Sequence, residues 1–143
     1  MDEIDIRLLR EGGRLPEKAS ANASGYDLYA CLPDAPVRVG NFPVRIPTGL
    51  AFAVPPGLDV QIRPRSGLAS QGILSSFGTL DADYRGELFI SMYTLNPEVS
   101  HVVEHGDRVA QLVITHLAAV NFVLREELSK TQRGAGGHGS TGR

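Results

Sequence analysis

Between positions 31 and 62 the chain meets six prolines: Pro33, Pro36, Pro43, Pro47, Pro55 and Pro56. A helix of ordinary length does not survive that spacing, because each proline removes a backbone donor and crowds the turn before it. The pieces left between them are short and apolar: Val37-Arg38-Val39, Val44-Arg45-Ile46, Gly49 to Val54 and Leu58 to Ile62. Proline confines several of these to sheet edges or strand ends. Elsewhere the pattern has period two. Ile4 to Arg10 reads as a first strand. Glu87 to Tyr93 sets Leu88, Ile90 and Met92 on one face and Glu87, Phe89, Ser91 and Tyr93 on the other. In Arg108 to Ile114, Val109, Gln111 and Val113 share one face and Ala110, Leu112 and Ile114 the other; this strand is expected to continue through Val120 to Val123. The sequence therefore predicts one all-β domain, a barrel or sandwich, long enough at 143 residues to bury a core.

The formal net charge of −2 argues against broad nucleic-acid binding. No apolar run reaches the length of a membrane span. The first thirty residues are charged and lack a signal-peptide core, so a cytoplasmic protein is expected. The lone Cys31 fits a reducing compartment and core filling. The cations are 12 arginines and only two lysines. A planar guanidinium fork suits phosphate oxygens, so a discrete anion site is compatible with the charge balance.

Chemistry concentrates in Gly78 to Leu88, Gly-Thr-Leu-Asp-Ala-Asp-Tyr-Arg-Gly-Glu-Leu. It reads as a hairpin-like turn between strands, carrying Asp81, Asp83, Tyr84 and Arg85. Such residues suit a solvated tip, and equally a ligand site in which Tyr84 offers a flat face and a hydroxyl. Upstream, Arg63-Pro64-Arg65-Ser66-Gly67 leads into a short helix over Gly67 to Gln71 that Ser66 would cap. Amides at its start, beside Arg65, would face an anion; the alternative is a plain capped turn. Asp27 begins a strand after the bend at Gly25 and could hold a nearby arginine. Gln111 is a polar group in an apolar strand and must find partners.

Two patterns mislead. His101-Val102-Val103-Glu104-His105 matches H-x-x-E-H, but that zinc motif needs a helix, and here two valines precede a Gly106-Asp107 turn. Gly134, Gly136 and Gly139 match G-x-G-x-x-G, but no helix can follow so near the last residue. The tail from Arg133 to Arg143 has almost nothing to bury and many free amides, which suits wrapping a polyphosphate.

Five segments taken together resemble one family: Ser24 to Ala30, Pro64 to Ala69, Gly78 to Glu87, Gly106 to Gln111, and Arg133 to Gly142. In this order and spacing the chain looks like a homotrimeric deoxyuridine triphosphatase (dUTPase) from end to end. The resemblance implies a distorted jelly-roll-like barrel of the β-clip type, with a β domain over 1–130. It implies a flexible arm over 131–143 that closes an active site of a neighbouring subunit. The implied reaction is dUTP and water giving dUMP and pyrophosphate with Mg²⁺, which keeps uracil out of DNA and supplies dUMP for dTMP synthesis. No nucleic-acid or membrane partner is implied.

By the same resemblance, Asp81 activates the water and Gln111 helps hold it. Arg65, Ser66 and Gly67 hold phosphates. Backbone groups of Gly78, Thr79 and Leu80 read the uracil edge, and Tyr84 packs under the deoxyribose. Arg133, Gly137, His138, Gly139, Ser140 and Thr141 belong to the closing arm. Asp27, Asp83, Arg85 and Arg108 support the site and the trimer. No dedicated metal ligands are implied, since the triphosphate and waters carry the Mg²⁺, with Asp27 a candidate contact through water.

Two positions depart from the family pattern. His138 stands where a phenylalanine is usual, and the loop Ile73 to Phe77 is short, with Ser75 near the position of a base-touching asparagine. The readings kept beside this one are a dCTP deaminase-like enzyme of the same superfamily and a dUTP-sensing module without turnover.

Overall fold

The computed structural model describes residues 1–139 and 142; Ser140 and Thr141, named above, lie outside the described residues, as does Arg143. Ten strands and one helical turn make up the described part: β1 (Asp5–Leu8), β2 (Gly25–Tyr29), β3 (Val37–Val39), β4 (Val44–Ala53), β5 (Leu58–Arg63), α1 (Ser66–Ala69), β6 (Ile73–Ser75), β7 (Gly78–Thr79), β8 (Glu87–Thr94), β9 (His101–Val103) and β10 (Arg108–His116). They form two four-stranded sheets, β1-β4-β8-β6 and β2-β10-β5-β7, and the pair β3-β9. Every pairing is antiparallel. The chain is thus all-β and jelly-roll-like, with its layers as open sheets.

The alternation of β8 is followed residue by residue: Leu88, Ile90, Met92 and Thr94 are buried, and the residues between them are half-buried. These meet Leu28, Ile46, Leu50, Val60, Val109 and Leu112 in one core. Each such side chain contributes about 1.5–3 kcal/mol by leaving water. In β10 the alternation breaks, because both Val109 and Ala110 are buried. A register shift between Arg108 and Ala110 against β2 inserts one extra residue, and Val109 turns inward.

Four expectations need correction. The fragments Val44–Ile46 and Gly49–Val54 are parts of one strand, β4, which passes through Pro47. Pairing to β8 is interrupted between Pro47 and Ala51, and side chains fill the gap. Thr48 Oγ1 donates to the Leu88 carbonyl (2.6 Å), and the Gly49 amide, at φ 72°, donates to the Glu87 carboxylate (3.1 Å). Ser66 is the first residue of α1 and does not cap it. Arg65 holds the cap position with extended backbone, and no side-chain cap bond forms.

The Gly78–Leu88 stretch is not a paired hairpin, since β7 bonds to β5 while β8 bonds to β4 and β6. It is a turn bridging the two sheets. Finally, β10 stops at His116 and does not reach Val123. Its partner β5 begins at Leu58, and the last bond of the ladder is Leu117 N–H to the Gly57 carbonyl (2.8 Å). Beyond lie Pro55 and Pro56, which cannot extend a ladder. Residues 117–130 then run without regular structure and expose Leu117, Val120, Phe122, Val123, Leu124 and Leu128. Among the described residues no helix is long and apolar enough to cross a membrane.

Candidate active site

Strand β7 is only two residues long, and its register is Gly78 opposite Ile62 and Thr79 opposite Gln61. Glycine at 78 suits this close approach, because a Cβ there would stand 3.0 Å from Ile62 Cδ1 and the end of that side chain would have to give way. The next residue, Leu80, is buried, and its amide donates to the Val60 carbonyl (2.9 Å). This anchor sets where Asp81 leaves the sheet. The turn closes from the Tyr84 amide to the Asp81 carbonyl (3.1 Å).

Asp81 and Asp83 are both exposed, and among the described residues no cation or donor pairs with the Asp81 carboxylate. The Tyr84 hydroxyl donates to the Glu87 carbonyl (2.9 Å), and its ring lies against Gly86, where a Cβ would overlap it. Arg85 Nη1 donates to the carbonyls of Ala82 and Tyr84, bracing the turn from within. Thr79, Leu80, Asp81 and Tyr84 together line a cleft of about 330 Å³.

The same cleft holds two residues the motifs did not single out, Arg45 and Phe89. The Arg45 guanidinium stacks on the Phe89 ring at 4.0 Å. The signal was present: Arg45 alternates with Val44 and Ile46, so it points outward beside Phe89 on the neighbouring strand. Glu87 supports the turn from behind by accepting from Arg10 Nε (2.9 Å).

Asp27, Arg65, Arg108 and Gln111 come together on the other sheet. Asp27 and Gln111 are directly opposite in the β2–β10 register. The Asp27 carboxylate, largely buried, faces Arg65 Nε at 3.5 Å and Arg108 Nη1 at 3.8 Å. Arg65 also donates to the Arg108 carbonyl (3.3 Å). Gln111 finds its partner in the Pro64 carbonyl, to which Nε2 donates (3.0 Å). This bond ties β10 to the bend that delivers Arg65, Ser66 and Gly67. Ser66 and Gln111 line one cleft with Arg63 and Phe77, and Arg65 and Arg108 line another with His101 and Asp107.

One chain therefore carries the chemistry in separate places. Asp81 and Tyr84 line a different cleft from Ser66 and Gln111. Ser75 lines neither cleft: it is buried on β6, and its hydroxyl has no hydrogen-bond partner among the described residues. In the arm, Arg133 Nε donates to the Gly136 carbonyl and the Gly136 amide returns to the Arg133 carbonyl (3.1 Å). His138 is exposed with φ 49°, a left-handed backbone flanked by glycines. Gly137 has Arg133 Nη2 as its nearest neighbour, 3.8 Å from where a Cβ would stand, and Gly139 takes a left-handed backbone at φ 90°. The H-x-x-E-H segment forms β9 followed by a turn. The Nδ1 of His105 accepts the Leu32 amide (2.9 Å).

The carboxylates beside the arginines are Asp27, which faces two guanidiniums, and Asp107, whose Oδ2 accepts the Glu104 amide (2.8 Å). Both are already engaged, and among the described residues no group of three or more His, Cys, Asp or Glu is placed to hold a metal ion, so the residues fit a hard cation only as one carried in on phosphate oxygens and waters.

Residues 11–142 match the dUTPase family model. A deoxyuridine 5'-triphosphate nucleotidohydrolase of Treponema pallidum is 46% identical over 92% of both chains, and one of Treponema denticola is 43% identical over 94% of both. Among solved structures, the dUTPase of Staphylococcus bacteriophage 80alpha with dUPNHPP superposes with a TM-score of 0.84 at 26% identity, covering 100% of both chains. The chain belongs to the dUTPase family.

Proposed function

We propose that the protein hydrolyses dUTP to dUMP and pyrophosphate. The observation that carries this is Asp81, an exposed carboxylate without a partner among the described residues, at the rim of a cleft beside Tyr84 and a fixed strand edge. A carboxylate so placed can orient a water and take its proton as the oxygen attacks the α-phosphorus. The P–O bond to the β-phosphate breaks, and pyrophosphate leaves. Arg65, Ser66 and Gly67 hold the phosphates, and Gln111 holds the water. Catalysis of this kind is mostly positioning and charge stabilisation.

The Gly78–Leu80 backbone reads the uracil edge, and a cytosine would leave buried groups unpaired there. Tyr84 packs beneath the deoxyribose. Its hydroxyl is engaged by Glu87, so the ring cannot swing to admit a ribose 2′-hydroxyl. Asp27 holds Arg65 and Arg108 in place, and Asp83 and Arg85 support the turn. A Mg²⁺ bound with the triphosphate would neutralise charge on the departing pyrophosphate; the chain would supply no dedicated ligands to it, and Asp27 would be a candidate contact through water.

The working unit is a homotrimer. The separation of Asp81 from Ser66 and Gln111 within one chain supports a site completed between copies. The exposed apolar residues of 117–128 support an arm that lies on a neighbour, with 133–142 closing that neighbour's site and His138 stacking on the base. Pyrophosphate release from a panel of dUTP, dCTP, dTTP and UTP tests the reading. Turnover of dUTP alone is expected. Ammonia from dCTP would favour a deaminase, and dUTP bound but uncleaved with Mg²⁺ present would favour a sensing module.

A further inference from the structure

Behind Thr79, on the outward face of β5, lies a chain of hydrogen bonds that the motifs do not include. The Thr79 hydroxyl donates to Gln61 Oε1 (3.2 Å). Gln61 Nε2 donates to Asp59 Oδ1 (2.6 Å), and Thr115 Oγ1 donates to Asp59 Oδ2 (3.4 Å). Residues 59 and 61 share this face because side chains alternate along a strand. The direction of the chain is fixed by chemistry. A carboxylate only accepts, so the Gln61 amide nitrogen must face Asp59 and its carbonyl must face Thr79. The Thr79 proton is then committed to Gln61, and the Thr79 oxygen can only accept from anything in the cleft.

The placement matters because β7 has only two ladder pairs. So short a strand depends on what else holds it. On the inner side it has the Leu80 amide on Val60 and the buried Leu80 side chain. On the outer side it has Gln61. Thr79 lines the Asp81 cleft while Gln61 and Asp59 line the Ser66–Gln111 cleft, so the bond joins the walls of both.

We infer that Gln61, oriented by Asp59, is a positioning residue that pins the Gly78–Leu80 edge and thereby sets selection for uracil over cytosine. The inference rests on the dUTP reading above. An edge free to shift can move toward the donor pattern of cytosine, whereas a pinned edge leaves that base unpaired.

The test uses the full chain with Gln61→Leu, Gln61→Met and Asp59→Asn, and two readouts. One is the ratio of kcat/KM for dUTP over dCTP. The other is hydrogen exchange at the Leu80 amide without nucleotide. Gln61→Met keeps the length of the side chain and serves if Gln61→Leu fails to fold. Removing Gln61 is expected to lower the ratio about tenfold or more, mainly through a higher KM for dUTP, and to speed exchange at Leu80. Asp59→Asn can present either an oxygen or an amide to Gln61 and no longer fixes its direction, so it is expected to lower the ratio and speed Leu80 exchange in the same sense, by less than removing Gln61; if it changes neither, Asp59 does not orient Gln61 and that part of the proposal is overturned. If either the ratio or the exchange is unchanged on removing Gln61, the proposal is overturned. A wild-type protein that cleaves no nucleotide would sink the dUTP reading instead; the dUTP-over-dCTP ratio of binding constants then replaces the kinetic ratio, and with Leu80 exchange still decides whether Gln61 pins the edge and sets base choice.

Discussion

Gly25 leaves open the space that the Gln111 carboxamide fills: a Cβ on residue 25 would overlap Gln111 Oε1. The two residues sit on adjacent strands, and the glycine lets the amide lie flat while its nitrogen reaches Pro64. In Gly25→Ala the far end of Gln111 must swing away, which costs the fold little because that end is flexible. Gln111, proposed above to hold the water, is then misplaced, and a displacement near 1 Å can cost about 100-fold in rate. Steady-state kinetics beside a thermal melt should show kcat/KM falling by about that much with Tm nearly unchanged. A fully active Gly25→Ala would remove Gln111 from its role.

Asp81→Asn keeps the shape of the turn, since the Asp81 contribution to it is the backbone carbonyl accepting from Tyr84. It removes the base. Turnover is expected to fall by about 10²–10⁴-fold with dUTP affinity retained. Calorimetric titration with a non-cleavable analogue, beside pyrophosphate release, checks both halves; wild-type turnover contradicts the assignment.

Among the described residues, 133–143 contribute no strand and no residue of the core. With them deleted, the protein should fold, melt close to the full chain and hydrolyse dUTP at a small fraction of its rate. If it stays active, the arm does not close the site.

Cys31 is buried beside Glu11, to whose carbonyl its Sγ lies 3.4 Å away, and burial raises its thiol pKa above the ordinary range. The neutral thiol is therefore favoured in the folded state. The unfolded state loses its proton first as pH rises, so this contribution to stability is intact below the ordinary thiol pKa and declines above it. Thiol-reagent kinetics at mildly alkaline pH should show slow labelling of the native protein and fast labelling after denaturation. Rapid native labelling would contradict the burial.

Where one physical rule governs a residue, the sequence was enough. The alternation of β8 and the pairing of Asp27 with an arginine were both legible that way. The errors occurred where distant parts of the chain decide. Pro47 looked like a strand end because nothing local reveals that Thr48 and Glu87 replace the missing ladder bonds. Ser66 has the chemistry of a cap, but the extended conformation falls on Arg65, and the cap position with it. The stretch 120–123 is apolar enough for a strand, yet β5 offers no partner past Gly57. For the same reason Gln61 and Asp59 passed unnoticed: their meaning depends on Thr79 lying across the sheet. The motifs were legible one by one, and the resemblance already implied a site shared between copies; which cleft of one chain carries each motif depends on how the sheets pair, which no local pattern shows.

That division has a consequence in genetics. If each site takes Asp81 from one copy and Gln111 from another, two differently damaged chains can rescue each other. Random mixing of Asp81→Asn and Gly25→Ala copies should leave about one site in four with both groups intact. Two separately inactive preparations, unfolded and refolded together, would then regain activity that neither shows alone, and a cell with two different defective alleles could retain part of the function.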